Sequence, residues 1–141
     1  VTLFGPYPAL VADVHDGDTM TVVLDLGFNI AFRCACRCYG INAPELATPE
    51  GKAAHEYALT LVKPGDAVTV RSHGWDKYGG RFDGTVGLAD GRDFGSAMVA
   101  AGFARPYFGV GPKLSPAGIP VTMLQPVTFD DTTDDDQPPV P

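Results

Sequence analysis

No apolar run in this chain of 141 residues is long enough to cross a bilayer, and its start shows no charged segment followed by an apolar stretch. The first absence excludes a transmembrane helix, and the second leaves no visible secretion signal. The chain begins at Val1, not Met, as a processed or trimmed sequence would, and a leader cut off upstream would leave no trace. Positive charge is scarce: 10 Lys and Arg face 17 Asp and Glu, for a net charge of −7. That balance argues against a basic nucleic-acid-binding surface. Five of the acids (Asp130, Asp131, Asp134, Asp135 and Asp136) crowd the last dozen residues, and without them the net charge becomes −2. Any case for nucleic acid therefore rests on where individual arginines stand, not on global charge.

Cysteine is also sparse. Cys34, Cys36 and Cys38 are all there are. At a period of two they share one face of a strand. Neighbouring α-carbons on that face lie roughly 6.5–7 Å apart with parallel side chains, at or beyond the limit for a disulfide. They read as reduced, buried small hydrophobes, which favours a reducing, cytoplasmic compartment. Three thiols also suit a soft metal, but a straight strand spreads them too widely for one tetrahedral ion.

What the chain has in quantity is Gly (17) and Pro (13), which favours many turns and short strands in one domain. Strand-like segments cover residues 9–14, 20–25 and 30–39, separated by turns at Asp16-Gly17 and Leu26-Gly27. Thr48-Pro49-Glu50 predicts a helix start, and the helix runs to about Val62, before Lys63-Pro64-Gly65. Ala54, Tyr57, Ala58, Leu61 and Val62 would form its buried face. Two further strands are predicted over 67–71 and 84–88, then a short helix from about Phe94 to Ala101, ended by Gly102. Five strands with a helix between the third and fourth predict an α+β fold, a small Greek-key barrel of the OB type. Another small barrel with one helix has the same strand count. Domain boundaries follow composition: 1–112 forms the barrel, and 113–141 reads as a Pro-rich arm and a disordered acidic tail.

Three short runs join carboxylates or guanidinium groups to turn residues: Asp16-Gly17-Asp18-Thr19, the segment from Arg37 through Asn42-Ala43-Pro44 to Glu45, and the loop from Asp76 to Arg81. Together they hold what phosphodiester hydrolysis needs. Carboxylates bind a hard divalent cation, a Glu activates water, and two Arg neutralise a charged phosphoryl transition state. Taken singly, each run is more ordinary. Asp16-Gly17-Asp18 is a hairpin turn with solvated acids, and His15 a surface residue of that turn. The Asp76 loop is a polar loop, in which Lys77, Tyr78 and Arg81 are placed to bind phosphate and stack a base or sugar. Alternation puts Arg37 on the face opposite the cysteines, with Gly40 and Pro44 fixing the strand exit toward Glu45.

The order D-G-D-T, R-x-x-G-I-N-A-P-E, D-K-Y-G-G-R and then Gly102-Phe103-Ala104 resembles the staphylococcal nuclease (thermonuclease-like) family over residues 11–107. The compact form with a Pro-rich end is similar to bacteriophage-encoded members. The resemblance implies a calcium-dependent nuclease of DNA, RNA or both, leaving 3′-phosphates, and acting as a monomer away from membranes. It implies metal binding by Asp18, Asn42 and the Ala43 carbonyl, phosphate and transition-state contacts from Arg37 and Arg81, and Glu45 as general base. It further implies that Lys77 and Tyr78 contact a terminal phosphate and that Tyr107 lines the nucleotide pocket.

Two departures stand out. Asn42 replaces an expected Asp; its amide oxygen still suits Ca²⁺, but one negative charge is lost and weaker metal binding follows. The doubled Gly79-Gly80 adds one residue before Arg81 and requires a small bulge. A second reading is a weakened or inactive barrel that binds nucleic acid or protein; a third is an interaction module carried by the arm and tail. Retention of Asp18, Arg37, Glu45 and Arg81 together favours the enzyme.

Overall fold

In the computed structural model, which describes residues 4–107, the predicted meander is β1 (Phe4–Val14), β2 (Thr19–Asp25) and β3 (Ala31–Cys38). The arm and tail assigned to 113–141 lie outside the described residues. Alternation is visible in what each strand buries. Met20, Val22 and Leu24 point inward from β2, and Cys34, Cys36 and Cys38 from β3. On β1 the inward residues are Ala9, Val11 and Val14, and the change of phase coincides with a shift of register between Val11 and Asp13. Each buried Val, Leu or Met stabilises the barrel by about 1.5–3 kcal/mol relative to an exposed one.

After the two-residue β4 (Ile41–Asn42), α1 spans Pro49–Leu61. Thr48 caps it as the sequence predicts, its hydroxyl accepting the Gly51 N–H at 3.0 Å. Gly51 is required by contact: a Cβ there would sit 1.7 Å from the Glu45 carbonyl oxygen. That close approach seats the first turn of α1 directly behind the Glu45 loop. Ala54, Ala58 and Val62 are buried, while Tyr57 and Leu61 of the predicted face are only partly so.

β5 (Ala67–Trp75) and β6 (Arg81–Gly87) are both longer than the strands predicted there. β6 pairs in parallel with β3, and β5 pairs with β6 and with β1, closing a barrel in the order β1-β2-β3-β6-β5. This is the α+β, OB-type barrel expected. α2 (Phe94–Ala100) follows, capped by Asp93, with Gly102 at positive φ beyond its end. Phe94 and Met98 of α2 join Ala54 and Ala58 in the core. Finally β7 (Arg105–Pro106) pairs with β4, a small ladder the sequence did not announce. Among the described residues no helix is long and apolar enough to cross a membrane.

All three cysteines are free and buried. The Cys38 thiol is pushed well up by its hydrogen bond with Cys36 and by burial, and burial also raises Cys34. Protonated thiols in a barrel core act as small apolar side chains, not as nucleophiles or thiolate ligands.

Candidate active site

The register of the parallel pair decides what stands together. Ala35 lies opposite Arg81 and Arg37 opposite Asp83, so the two arginines occupy neighbouring strands on the outward side of the barrel. The β1–β2 turn approaches the same end, because the Cys38 N–H donates to the Asp18 carbonyl at 2.8 Å. An open pocket of about 140 Å³ results, lined by Asp16, Asp18, Thr19, Arg37, Asn42, Ala43, Pro44, Glu45 and Arg81. Every residue the sequence assigned to catalysis or metal binding is in that set.

Asp18 is buried, and its carboxylate is held from two sides. Oδ2 accepts the Ala43 N–H at 2.8 Å, and Oδ1 accepts the Thr19 hydroxyl at 3.1 Å. Arg37 Nη2 stands 3.8 Å from Oδ2, with both side chains only 11% exposed. Arg37 is itself fully engaged by the turn that follows its strand. Nη1 donates to the Cys38 and Ile41 carbonyls at 3.0 and 2.9 Å, and Nη2 to Asn42 Oδ1 at 3.3 Å. The guanidinium thus fixes the chain between β3 and β4 while it faces the pocket.

Arg81 is held differently. Its Nε donates to Asp76 Oδ2, and Asp76 is a buried carboxylate at the end of β5. The side chain is 32% exposed. Asp76 also accepts the Tyr78 N–H at 3.4 Å, and its carbonyl accepts the Gly79 N–H at 2.8 Å. Gly79 and Gly80 both take φ of +76°, a conformation glycine adopts without strain, and the chain then enters β6 at Arg81 opposite Ala35. Asp76, read from sequence as part of a polar loop, is therefore a buried anchor for Arg81.

Glu45 is exposed at the rim and its side chain makes no hydrogen bond or ion pair with another described residue. Its backbone is fixed instead: the Glu45 carbonyl accepts the Thr48 N–H and hydroxyl at 3.0 and 2.7 Å. Lys77, Tyr78 and Tyr107 are not among the pocket-lining residues. Tyr78 stands exposed on the loop before Arg81, and Tyr107 donates its N–H to the Gly40 carbonyl at 2.7 Å. His15 is exposed as expected, with Nε2 2.7 Å from Thr21 Oγ1.

Asp16 is the lining residue that the sequence left without a role. Its Oδ1 accepts the Asp18 N–H at 3.0 Å. Burial, and then the charge of Asp18, push its carboxyl from 3.8 up to about 6. The D-x-D spacing was the available signal, since two carboxylates one turn residue apart repel unless something between them relieves the charge. Among the described residues no three His, Cys, Asp or Glu side chains cluster closely enough to make a metal cage. The donors present are two neighbouring carboxylates and the Asn42 amide, all hard oxygens in a polar, open pocket. That chemistry fits a hard cation that completes its shell with water, and does not fit a soft one.

Comparison with known proteins bears on this pocket. The model of the family described as staphylococcal nuclease homologue matches residues 35–117. The chain is also similar to endonuclease YhcR of Bacillus subtilis (strain 168), with 32% identity over 117 residues. That match covers 74% of this chain and 9% of the relative, so the chain spans a small part of the relative's length.

Proposed function

This chain belongs to the staphylococcal nuclease homologue family, and from that premise we propose that it is a calcium-dependent phosphodiesterase that hydrolyses DNA, RNA or both and leaves 3′-phosphates. The observation that carries the proposal is the convergence of Asp18, Arg37, Glu45 and Arg81 on one polar pocket. A barrel that only binds nucleic acid has no need of a carboxylate base beside two arginines.

Arg37, fixed by its carbonyl contacts, presents a preset positive charge to a phosphate seated in the pocket. Arg81 contributes a second, partly exposed guanidinium to the pocket lining, a planar group that suits two phosphoryl oxygens. Glu45 at the rim takes the proton of a water as the water oxygen bonds to phosphorus and the bond to the leaving 5′-oxygen breaks. Asp18 and Asn42, with Asp16 beside them and the Ala43 carbonyl, are the groups that would hold calcium. When bound, that ion supplies Lewis-acid polarisation of a phosphoryl oxygen.

Asn42 supports a weaker metal site than an Asp there would give, because it brings an oxygen without a charge and that oxygen already accepts from Arg37. The same observation favours the second reading, a barrel that binds nucleic acid without cutting it. Incubating the protein with single-stranded DNA separates them. Cleavage in calcium that stops with chelator, with 3′-phosphate ends, is expected. Intact DNA at every calcium concentration leaves the binding reading.

A further inference from the structure

α1 touches both the Glu45 loop and the β1–β2 hairpin. Gly51, Ala54 and His55 stand at i, i+3 and i+4, so they share one face of the helix. Gly51 packs on the backbone of Glu45 and Leu46. Ala54 packs on Gly17, between Asp16 and Asp18: a Cβ on Gly17 would lie 3.1 Å from the Ala54 Cβ and 2.7 Å from that of Ala43. His55 Nε2 is 2.8 Å from the carbonyl oxygen of Val14, the last residue of β1. A carbonyl only accepts, so Nε2 carries the hydrogen and the ring donates. Roughly 6 Å of helix thus separates the seat of the Glu45 loop from the bond to the hairpin.

Val14 is the base of that hairpin, paired with Met20 across the ladder. The turn above it ends at Asp18, whose carbonyl accepts the Cys38 N–H and whose Oδ2 accepts the Ala43 N–H, each at 2.8 Å. Ala43 stands two residues before Glu45. The Asp18 turn and the Glu45 loop are therefore joined twice, directly through Ala43 and from behind through α1. A helix keeps its length because its backbone is bonded to itself, whereas an irregular turn and a loop take their spacing from what they are tied to. His55 does not line the pocket, so its influence passes through the hairpin.

Resting on the nuclease reading of the pocket, we propose that His55 is a positioning residue. By tying the base of the β1–β2 hairpin to the helix that backs Glu45, it fixes the separation between the Asp18 carboxylate and Glu45. Glu45 takes a proton from water at a phosphate that the Asp18 side of the pocket helps to place. A change in that separation lowers the rate of the step, while the arginines still hold the substrate.

Steady-state cleavage of single-stranded DNA in saturating calcium, with the whole 141-residue chain, tests the tie. His55→Ala is expected to lower kcat by roughly 10- to 100-fold with KM little changed. His55→Gln, whose side-chain amide can still donate to Val14, is expected to bring kcat back near the parent value. An unchanged kcat in His55→Ala, an equal loss in His55→Gln, or a loss that appears in KM instead overturns the proposal. Should His55→Ala not fold, His55→Asn, whose shorter amide does not reach Val14, takes its place with the same expectations. Hydrogen exchange in metal-free protein reads the geometry without cleavage. The Cys38 and Ala43 N–H groups, both bonded to Asp18, should exchange several-fold faster in His55→Ala, while the amides of Val70 and Val86 keep parent rates. No acceleration, or an equal one at all four, overturns the tie. If the parent leaves DNA intact in calcium, the nuclease reading fails and the exchange rates alone decide for His55. Cleavage by the parent with kcat and exchange unmoved in His55→Ala refutes the role of His55 alone.

Discussion

Arg37 and Arg81 face one pocket from adjacent strands, yet they are built into the protein in opposite ways. Arg37 is 11% exposed and donates to two carbonyls and an amide of the turn it stands beside. Arg81 is 32% exposed and donates through Nε to the single carboxylate of Asp76. The first guanidinium is a strut within the turn; the second is tethered through Nε and is the more exposed of the two. Two arginines that line one pocket therefore differ in what the fold loses when either is changed.

Replacing each by lysine sharpens this contrast, because lysine keeps the charge and removes the planar fork. Arg37→Lys is expected to have the largest effect. One ammonium cannot reach all of its partners, so cleavage should fall by about 10³, and stability by about 3 kcal/mol as a buried group loses its partners. Turnover assays and urea melts read the two losses. Arg81→Lys should lower cleavage by about 10² while the urea midpoint stays close to that of the parent, since a lysine still pairs with Asp76. An equal loss of stability in both variants would break the comparison.

Asp76→Asn tests the tether. The amide still accepts from Nε but holds it less firmly, and kcat should fall by roughly tenfold with KM little changed. A change confined to stability would make Asp76 structural only. The smallest effect expected is in pH dependence. Asp16 holds its proton more tightly in the folded chain, at about 6 against an ordinary 3.8. Its contribution to stability is therefore full below about pH 4 and lost as pH rises through 6. In metal-free protein, Asp16→Asn should flatten the stability profile across that window, as urea melts at successive pH values would show.

Local patterns made much of this legible from the amino-acid sequence. A period of two put Cys34, Cys36 and Cys38 inside and Arg37 outside, because the strand pleat is a property of consecutive residues. Thr48-Pro49 marked the start of α1 for the same reason. What escaped depends on partners distant in the chain. The β4–β7 ladder joins residues 41–42 to 105–106, and β5 reaches Trp75 only because β6 is there to pair with it. Burial of Asp76 follows from that extension, so it read as loop. The carbonyls that engage Arg37 are backbone atoms, which carry no sequence signal. Asp16 had a signal in its spacing to Asp18, but a hairpin turn has the same composition.

The central claim is that this pocket cuts nucleic acid through a calcium site weakened at Asn42. Titrating calcium against cleavage of single-stranded DNA, with the parent and Asn42→Asp side by side, tests it most directly. The account predicts no cleavage in chelator, cleavage that rises with calcium in both proteins, and a half-maximal calcium concentration lower in Asn42→Asp. Intact DNA at every calcium concentration in both would contradict it.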